Sequence, residues 1–193
     1  MISPYLFLDR DGVINRRIAD GYVTSWNQFE FLPGVLDALR LLKEHGYRSL
    51  VVSNQAAVGR GLMPAHQLAQ ITRRFLRQVK KHGGLIHGVY YCTHKPEDDC
   101  DCRKPKPGLL LKAKREHRLL LAETFLVGDS LPDALAADAA GCPFIRVAGE
   151  GDSANETWTH GASAIVSSLA EAVEFILGAS EVNHPLLVHG GHG

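Results

Sequence analysis

Tyr5-Leu6-Phe7-Leu8-Asp9-Arg10-Asp11-Gly12-Val13-Ile14-Asn15 sets a short, uninterrupted apolar run directly against two carboxylates, an arginine and a glycine. A strand that faces water on one side alternates apolar and polar residues, whereas one buried on both faces of a parallel sheet is apolar throughout. Tyr5 to Leu8 therefore reads as a buried parallel strand and Asp9 to Gly12 as the loop it feeds. Ligands in open parallel sheets bind beyond the carboxyl ends of the strands. The charged residues of this loop stand where chemistry is expected.

Outward from that strand, Pro33 and Gly34 open an apolar-periodic stretch, Val35, Leu36, Leu39, Leu41 and Leu42, that stops at Gly46 and predicts a helix. Further strands are predicted at Arg48 to Ser53, Val89 to Cys92, Thr124 to Val127, Pro143 to Val147 and Ala164 to Val166. Helices are predicted at Pro64 to His82, Pro107 to Arg118, Pro132 to Ala140 and Leu169 to Leu177. Strand and helix alternate, so the expected fold is α/β, a doubly wound parallel sheet covered on both faces. Residues 1–182 read as one domain, with 149–160 a surface loop and 183–193 a flexible tail.

The chain has 193 residues, 45% hydrophobic and 22% charged, which suits a soluble globular domain and leaves no compositional case for disorder. Lys plus Arg and Asp plus Glu number 21 each, so no global field draws the chain to nucleic acid or anionic lipid. The N-terminus lacks a basic region followed by a long apolar core, and Asp9 breaks its apolar run, so no signal peptide is expected; no stretch approaches the ~20 apolar residues of a membrane span. A cytosolic protein with reduced thiols follows, so the four cysteines should not form structural disulfides.

Residues at the predicted strand ends and on the adjoining loops gather into one set: Asp9 and Asp11, Ser53 and Asn54, Arg103 and Lys104, and Asp129 with Asp133. Those types suit phosphoryl transfer, with carboxylates to hold magnesium and to act as nucleophile and acid, and with donors to steady a phosphate. Asp133 has two readings, a first-turn helix acid or a group that orients a magnesium-bound water. Cys92, His94, Cys100 and Cys102 form C-x-H and C-x-C arms inside a polar loop, a closed four-ligand set of the kind that holds structural zinc. That loop leads directly into Arg103 and Lys104. Cys142 reads as a small core residue, and the basic helical positions Arg73, Arg74, Arg77, Lys80 and Lys81 as a solvated face.

The run Phe7 to Asn15 resembles the first motif of the haloacid-dehalogenase-type phosphatases, Ser53 the second, Lys104 the third and Gly128-Asp129-Ser130-Leu131-Pro132-Asp133 the fourth. Within that superfamily the chain is similar to the phosphatases of heptose bisphosphates. Asp20-Gly21-Tyr22-Val23, Phe29-Glu30-Phe31, Ser53-Asn54-Gln55, Gly59-Arg60-Gly61 and Cys100-Asp101-Cys102-Arg103-Lys104-Pro105 carry that likeness. The resemblance implies Asp9 as nucleophile and magnesium ligand, Asp11 as acid/base and ligand through its backbone carbonyl, and Asp129 as the remaining carboxylate ligand. It implies that Ser53 and Lys104 hold the transferring phosphoryl group, and that Asp20, Gly21, Tyr22, Asn54, Gln55 and Arg103 contact the rest of a sugar bisphosphate. It also implies zinc on Cys92, His94, Cys100 and Cys102. The sequence departs from the pattern at Ala56 and Ala57, where a Ser-Gly pair is frequent, at Ser130, where a Lys is usual, and by two extra residues between Asn15 and Tyr22.

About 40 residues separate Asp9 from Ser53 and about 50 separate Ser53 from Lys104, too few for another domain, so no large cap is expected. A monomer acting on a small molecule, with no nucleic-acid or membrane partner, is the expected arrangement. A histidinol-phosphate phosphatase shares the four motifs, but Gly21-Tyr22-Val23 argues against it. A silent phosphosugar-binding protein is a rival from another class, and the intact pair Asp9 and Asp11 argues against that.

Overall fold

Alternation along the first strand decides which layer each helix joins. β1 (Tyr5–Leu8) has Leu6, Phe7 and Leu8 essentially inaccessible, with Leu6 and Leu8 turned to one face of the sheet and Phe7 to the other. The computed structural model describes residues 4–149 and 159–182. Within them β1, β2 (Arg48–Asn54), β3 (Ile86–Cys92), β4 (Phe125–Gly128), β5 (Phe144–Val147) and β6 (Ala162–Val166) form one sheet in the order β3-β2-β1-β4-β5-β6. Every neighbouring pair is parallel, as expected from the strand and helix order.

The helices are α1 (Val35–Glu44), α2 (Ala56–Gly59), α3 (Ala65–Lys81), α4 (Gly108–His117), α5 (Leu131–Ala140) and α6 (Leu169–Val182). On one face Leu6, Leu8, Val51, Val127 and Ile145 pack with Leu39 and Leu42 of α1, Ile71 and Phe75 of α3, and Val173 and Ile176 of α6. On the other, Phe7, Leu50, Val52, Leu126 and Phe144 pack with Leu109, Leu110 and Ala113 of α4 and with Ala134, Ala136 and Ala137 of α5. Each fully buried Leu, Ile, Val or Phe contributes roughly 1.5–3 kcal/mol, so the two cores, rather than helix propensity, hold the layers. Cys142 lies buried in the second core as a small residue.

The chain winds outward from β1 through β2 to β3, then returns to lay β4 on the other side of β1. That reversal is a topological switch point, and it leaves a crevice at the carboxyl ends of β1 and β4. Leu8 pairs with Val127 and the Asp9 amide donates to the Val127 carbonyl at 2.9 Å, so Asp9 and Asp129 leave the sheet side by side. The segment from Asp9 to α1 holds only a 3-10 turn (Trp26–Gln28), and α2 and α3 are the only elements between β2 and β3, so no large cap covers the crevice.

Strand and helix boundaries differ from the sequence reading in places, β6 for example starting at Ala162 rather than Ala164. β3 begins at Ile86 rather than Val89, because Ile86 to Gly88 pair with β2 across a register shift at Ser49 and Leu50 although His87 and Gly88 carry no strand signal. α6 runs through Gly178, which reads as a stop in sequence but sits in a helix already fixed by packing. α2 and the 3-10 turn Pro96–Asp98 are too short to show periodicity. Most of the expected 149–160 loop and the whole 183–193 tail lie outside the described residues. No helix among the described residues is long and apolar enough to cross a membrane.

Candidate active site

A tight turn follows β1. The amides of Ile14 and Asn15 donate to the Arg10 carbonyl, at 2.8 and 3.0 Å, and the Gly12 amide donates to the Asn15 carbonyl at 2.7 Å. Gly12 is required there: its φ is +96°, and a Cβ would stand 1.9 Å from Asp129 Oδ2. The turn thereby brings the Asp129 carboxylate in from β4 against the loop of β1.

Asp9 is 5% exposed and accepts from Lys104 Nζ at 2.8 Å. Lys104 also donates to the Val52 carbonyl at 2.9 Å and to Asp133, itself wholly buried, so one cation serves two buried carboxylates. Burial alone would lower the Lys104 pKa, but the charges of Asp133 and Asp9 raise it, and the side chain stays cationic. Burial pushes Asp9 up to about 6, against the pull of Lys104. Burial, followed by the charge of Asp9, pushes Asp129 up to about 8, with Arg17 opposing. The cluster is short of positive charge.

That shortage fits a divalent cation. Asp9, Asp129 and Asp133 each offer an oxygen, all within 4.8 Å of one another. Asp133 is already engaged by Lys104 and by the Ser130 amide and hydroxyl, which makes it a partner of the lysine and a helix cap. Asp129 Oδ1, in contrast, is buried and accepts no hydrogen bond, an orphan acceptor that a hard cation would satisfy.

Asp11 is held by three residues. Arg10 Nη2 reaches both of its oxygens at 3.0 Å, Asn15 Nδ2 donates to Oδ1 at 2.9 Å and Gln55 Nε2 donates to Oδ2 at 2.8 Å. Gln55 also donates to Ser53 Oγ at 3.1 Å, which couples the loop of β1 to the end of β2. Arg10 is 1% exposed, its guanidinium resting on the Tyr91 and Phe29 rings at 5.7 and 6.0 Å. Asn54 spends both ends of its amide on the main chain of Lys104, at 3.0 and 3.1 Å, so it clamps the lysine in place and lines the cavity with an amide already engaged.

A cavity of about 690 Å³ opens over these groups, lined by Asp9, Asp11, Asp20, Gly21, Tyr22, Ser53, Asn54, Gln55, Arg103 and Lys104. Arg10, Arg17 and Ser130 share its walls. The structure therefore brings every predicted catalytic and substrate residue to one place, with Asp129 at its edge through Arg17. Sequence reasoning missed Arg10, Asn15 and Arg17 and left Asp133 undecided. A signal for Asp133 existed in Ser130-Leu131-Pro132-Asp133, a capping-box spacing that predicts its tie to Ser130 but not its lysine.

Beside the cavity, Cys92 at the end of β3 meets His94, Cys100 and Cys102. Cys92 Sγ lies 3.7 Å from His94 Nδ1 and 3.6 Å from Cys100 Sγ, with His94 Nδ1 to Cys102 Sγ at 3.3 Å and Cys100 to Cys102 at 3.5 Å. Zinc bonds of about 2.0–2.3 Å in a tetrahedron give edges of about 3.3–3.8 Å, so the four donors fit zinc. The cysteines are free thiols. Around them, Asp98 accepts from the Lys95 amide at 2.8 Å, Lys106 pairs with Asp99 at 2.7 Å, and Arg60 pairs with Glu97 at 3.0 Å. Gly108 lets α4 start against the loop, since a Cβ would lie 2.2 Å from the Asp101 carbonyl. A second cavity, about 590 Å³, lies against β3 and α4, away from the carboxylates.

A buried aspartate beyond the first strand, a lysine bridging it to the fourth-strand acid cluster and a serine at the end of β2 together define a phosphatase site of the haloacid-dehalogenase type. A family model described as HAD-hydrolase-like matches residues 101–172. The D-glycero-beta-D-manno-heptose-1,7-bisphosphate 7-phosphatase of Photorhabdus laumondii is 37% identical over 182 residues, covering 91% of this chain and 96% of that one. The corresponding alpha-anomer enzyme of Mycobacterium bovis is 43% identical over 152 residues, covering 75% and 79%. A crystal structure of the D,D-heptose 1,7-bisphosphate phosphatase from B. bronchiseptica, complexed with magnesium and phosphate, superposes with a TM-score of 0.85 at 34% identity, covering 91% of this chain and 99% of that chain. The chain belongs to the heptose-1,7-bisphosphate 7-phosphatase family of HAD-like phosphoric monoester hydrolases.

Proposed function

We propose that this enzyme removes the C7 phosphate of D-glycero-D-manno-heptose 1,7-bisphosphate through an aspartyl phosphate on Asp9. The single observation that carries the reading is the pairing of buried Asp9 with Lys104 at the mouth of a polar cavity. Lys104 fixes one carboxylate oxygen of Asp9, and the other attacks phosphorus as the bond to the sugar oxygen breaks. Asp11 gives that oxygen its proton. Asp11 then takes a proton from water, whose oxygen attacks phosphorus and returns Asp9 as a carboxylate. Ser53 and Lys104 donate to the phosphoryl oxygens, and Gln55 keeps Asp11 and Ser53 in mutual register.

Magnesium, held by Asp9, Asp129 and the Asp11 backbone carbonyl, would draw charge off the phosphoryl group so that one anion can approach another. The orphan acceptor on Asp129 supports that set, and the B. bronchiseptica relative was crystallised with magnesium and phosphate. Zinc on Cys92, His94, Cys100 and Cys102 would fix the loop that presents Arg103 and Lys104. Asp20, Gly21, Tyr22, Asn54, Gln55 and Arg103 surround the sugar. All of these residues stand at the strand ends of one sheet or on its loops, which supports a single phosphatase domain over residues 1–182. Cysteines outside any disulfide suit a reducing, cytoplasmic setting.

The test is a substrate panel of both heptose bisphosphate anomers, fructose 1,6-bisphosphate and histidinol phosphate. One heptose anomer is expected to exceed the others by about 100-fold in kcat/KM, and Asp9→Asn to lower kcat by about 1,000-fold or more. Preference for histidinol phosphate would overturn the substrate assignment, and near-normal turnover in Asp9→Asn the covalent mechanism.

A further inference from the structure

Arg17 has no part in the chemistry described so far. Its Nη1 lies 3.3 Å from Asp129 Oδ2, and its side chain is 54% exposed while that of Asp129 is 10% exposed. A guanidinium on Asp129 Oδ2 and a divalent cation on the buried Oδ1 repel each other across one carboxylate, and Arg17, more than half exposed where Lys104 is fully buried, is the side chain that can yield. Once displaced, the side chain remains on a segment whose Ile18, Asp20, Gly21 and Tyr22 line the same cavity.

The other cations of that cavity differ in how far they are committed. Arg10 is bound to Asp11, and Lys104 to Asp9 and Asp133. Arg103 makes only a long contact, 3.5 Å, to the His94 carbonyl. A sugar bisphosphate brings two phosphates, and Ser53 and Lys104 serve the one that is attacked. The second requires a cation further along the wall, and a guanidinium grips phosphate through two parallel N–H bonds.

We propose that Arg17 is a specificity-determining residue, displaced from Asp129 by the divalent cation and then anchoring the phosphate that is not transferred. The assignment rests on the sugar bisphosphate reading above. Metal and bisphosphate then bind with positive coupling, and a monoester without a second phosphate gains nothing from Arg17.

The test uses the zinc-loaded full chain and its Arg17→Met and Arg17→Lys variants. The ratio of kcat/KM for the heptose bisphosphate to that for p-nitrophenyl phosphate should fall at least about 10-fold in Arg17→Met, through KM for the bisphosphate, with Arg17→Lys between. Calorimetric titration with magnesium alone should show Arg17→Met binding the ion several-fold more tightly than wild type. A ratio unchanged within roughly two-fold, or unchanged or weaker magnesium binding, overturns the assignment. Failure of the substrate reading shows separately, in the wild type. No wild-type preference for bisphosphate overturns that reading and this assignment with it, whereas a preference that survives intact in Arg17→Met overturns this assignment alone.

Discussion

Asp133 resolves a difficulty that Lys104 and Asp9 create at the residue scale. A buried lysine paired with one carboxylate would hold that carboxylate's charge tightly and blunt it as a nucleophile. With Asp133 as a second partner, the lysine is neutralised without Asp9 bearing the whole interaction. Asp133→Asn removes that balance and leaves a buried amide facing a cation. Urea unfolding should show a loss of about 3 kcal/mol, as for a broken buried pair, and turnover should fall by about 100-fold because Lys104 then rests on Asp9 alone. Wild-type stability together with wild-type turnover would reduce Asp133 to a helix cap.

At the scale of elements, the segment between β3 and α4 has almost no core of its own, yet it positions a residue on which the site depends. Lys104 hangs from this loop, clamped by Asn54 and reaching back under β2 to Val52. With a metal bound, the four convergent ligands would supply the rigidity that packing cannot. Cys100→Ser should drop bound zinc from about one equivalent to below half and raise KM for the bisphosphate more than it lowers the melting temperature, since the loop meets only the edge of the second core, through Cys92, Cys100 and Cys102. Elemental analysis and steady-state kinetics check the two halves. Loss of zinc with KM and kcat unchanged would show a loop that does not position Arg103 or Lys104.

For the whole molecule, the excess of buried carboxylate sets how stability responds to pH and magnesium. Asp129 is raised from 3.8 to about 8 and Asp9 from 3.8 to about 6, burial being the first cause in each. Between those limits the folded state keeps protons that the unfolded chain has lost, so the stability these groups contribute is full below about 4 and declines as pH rises, to about 6 for Asp9 and about 8 for Asp129. Magnesium held on the ionised forms, as proposed, would reverse the loss. The rise in melting temperature produced by saturating magnesium should therefore be larger at pH 8 than at pH 6, with thermal unfolding as the measurement. A constant or shrinking rise across that range would contradict a carboxylate-held cation.

Local regularities made much of this protein legible without coordinates. An apolar run reports burial on both faces, a helical period reports one buried face, and short spacings such as those of Cys92, His94, Cys100 and Cys102 report donors that a single loop can bring together. The sequence by itself thus determined a parallel α/β sheet, the acids at its strand ends and the four-ligand loop. Only the tertiary structure decided that Asp133 shares Lys104 with Asp9, that Arg10 lies buried on two aromatic rings behind Asp11, that Asn54 clamps a backbone and that Arg17 reaches Asp129. Those partners are far apart in the chain or differ little from ordinary surface charges in composition. What joins them is the order in which the strands settle beside β1, and that order follows from burying apolar surface over the whole sheet at once, which no local window of sequence contains.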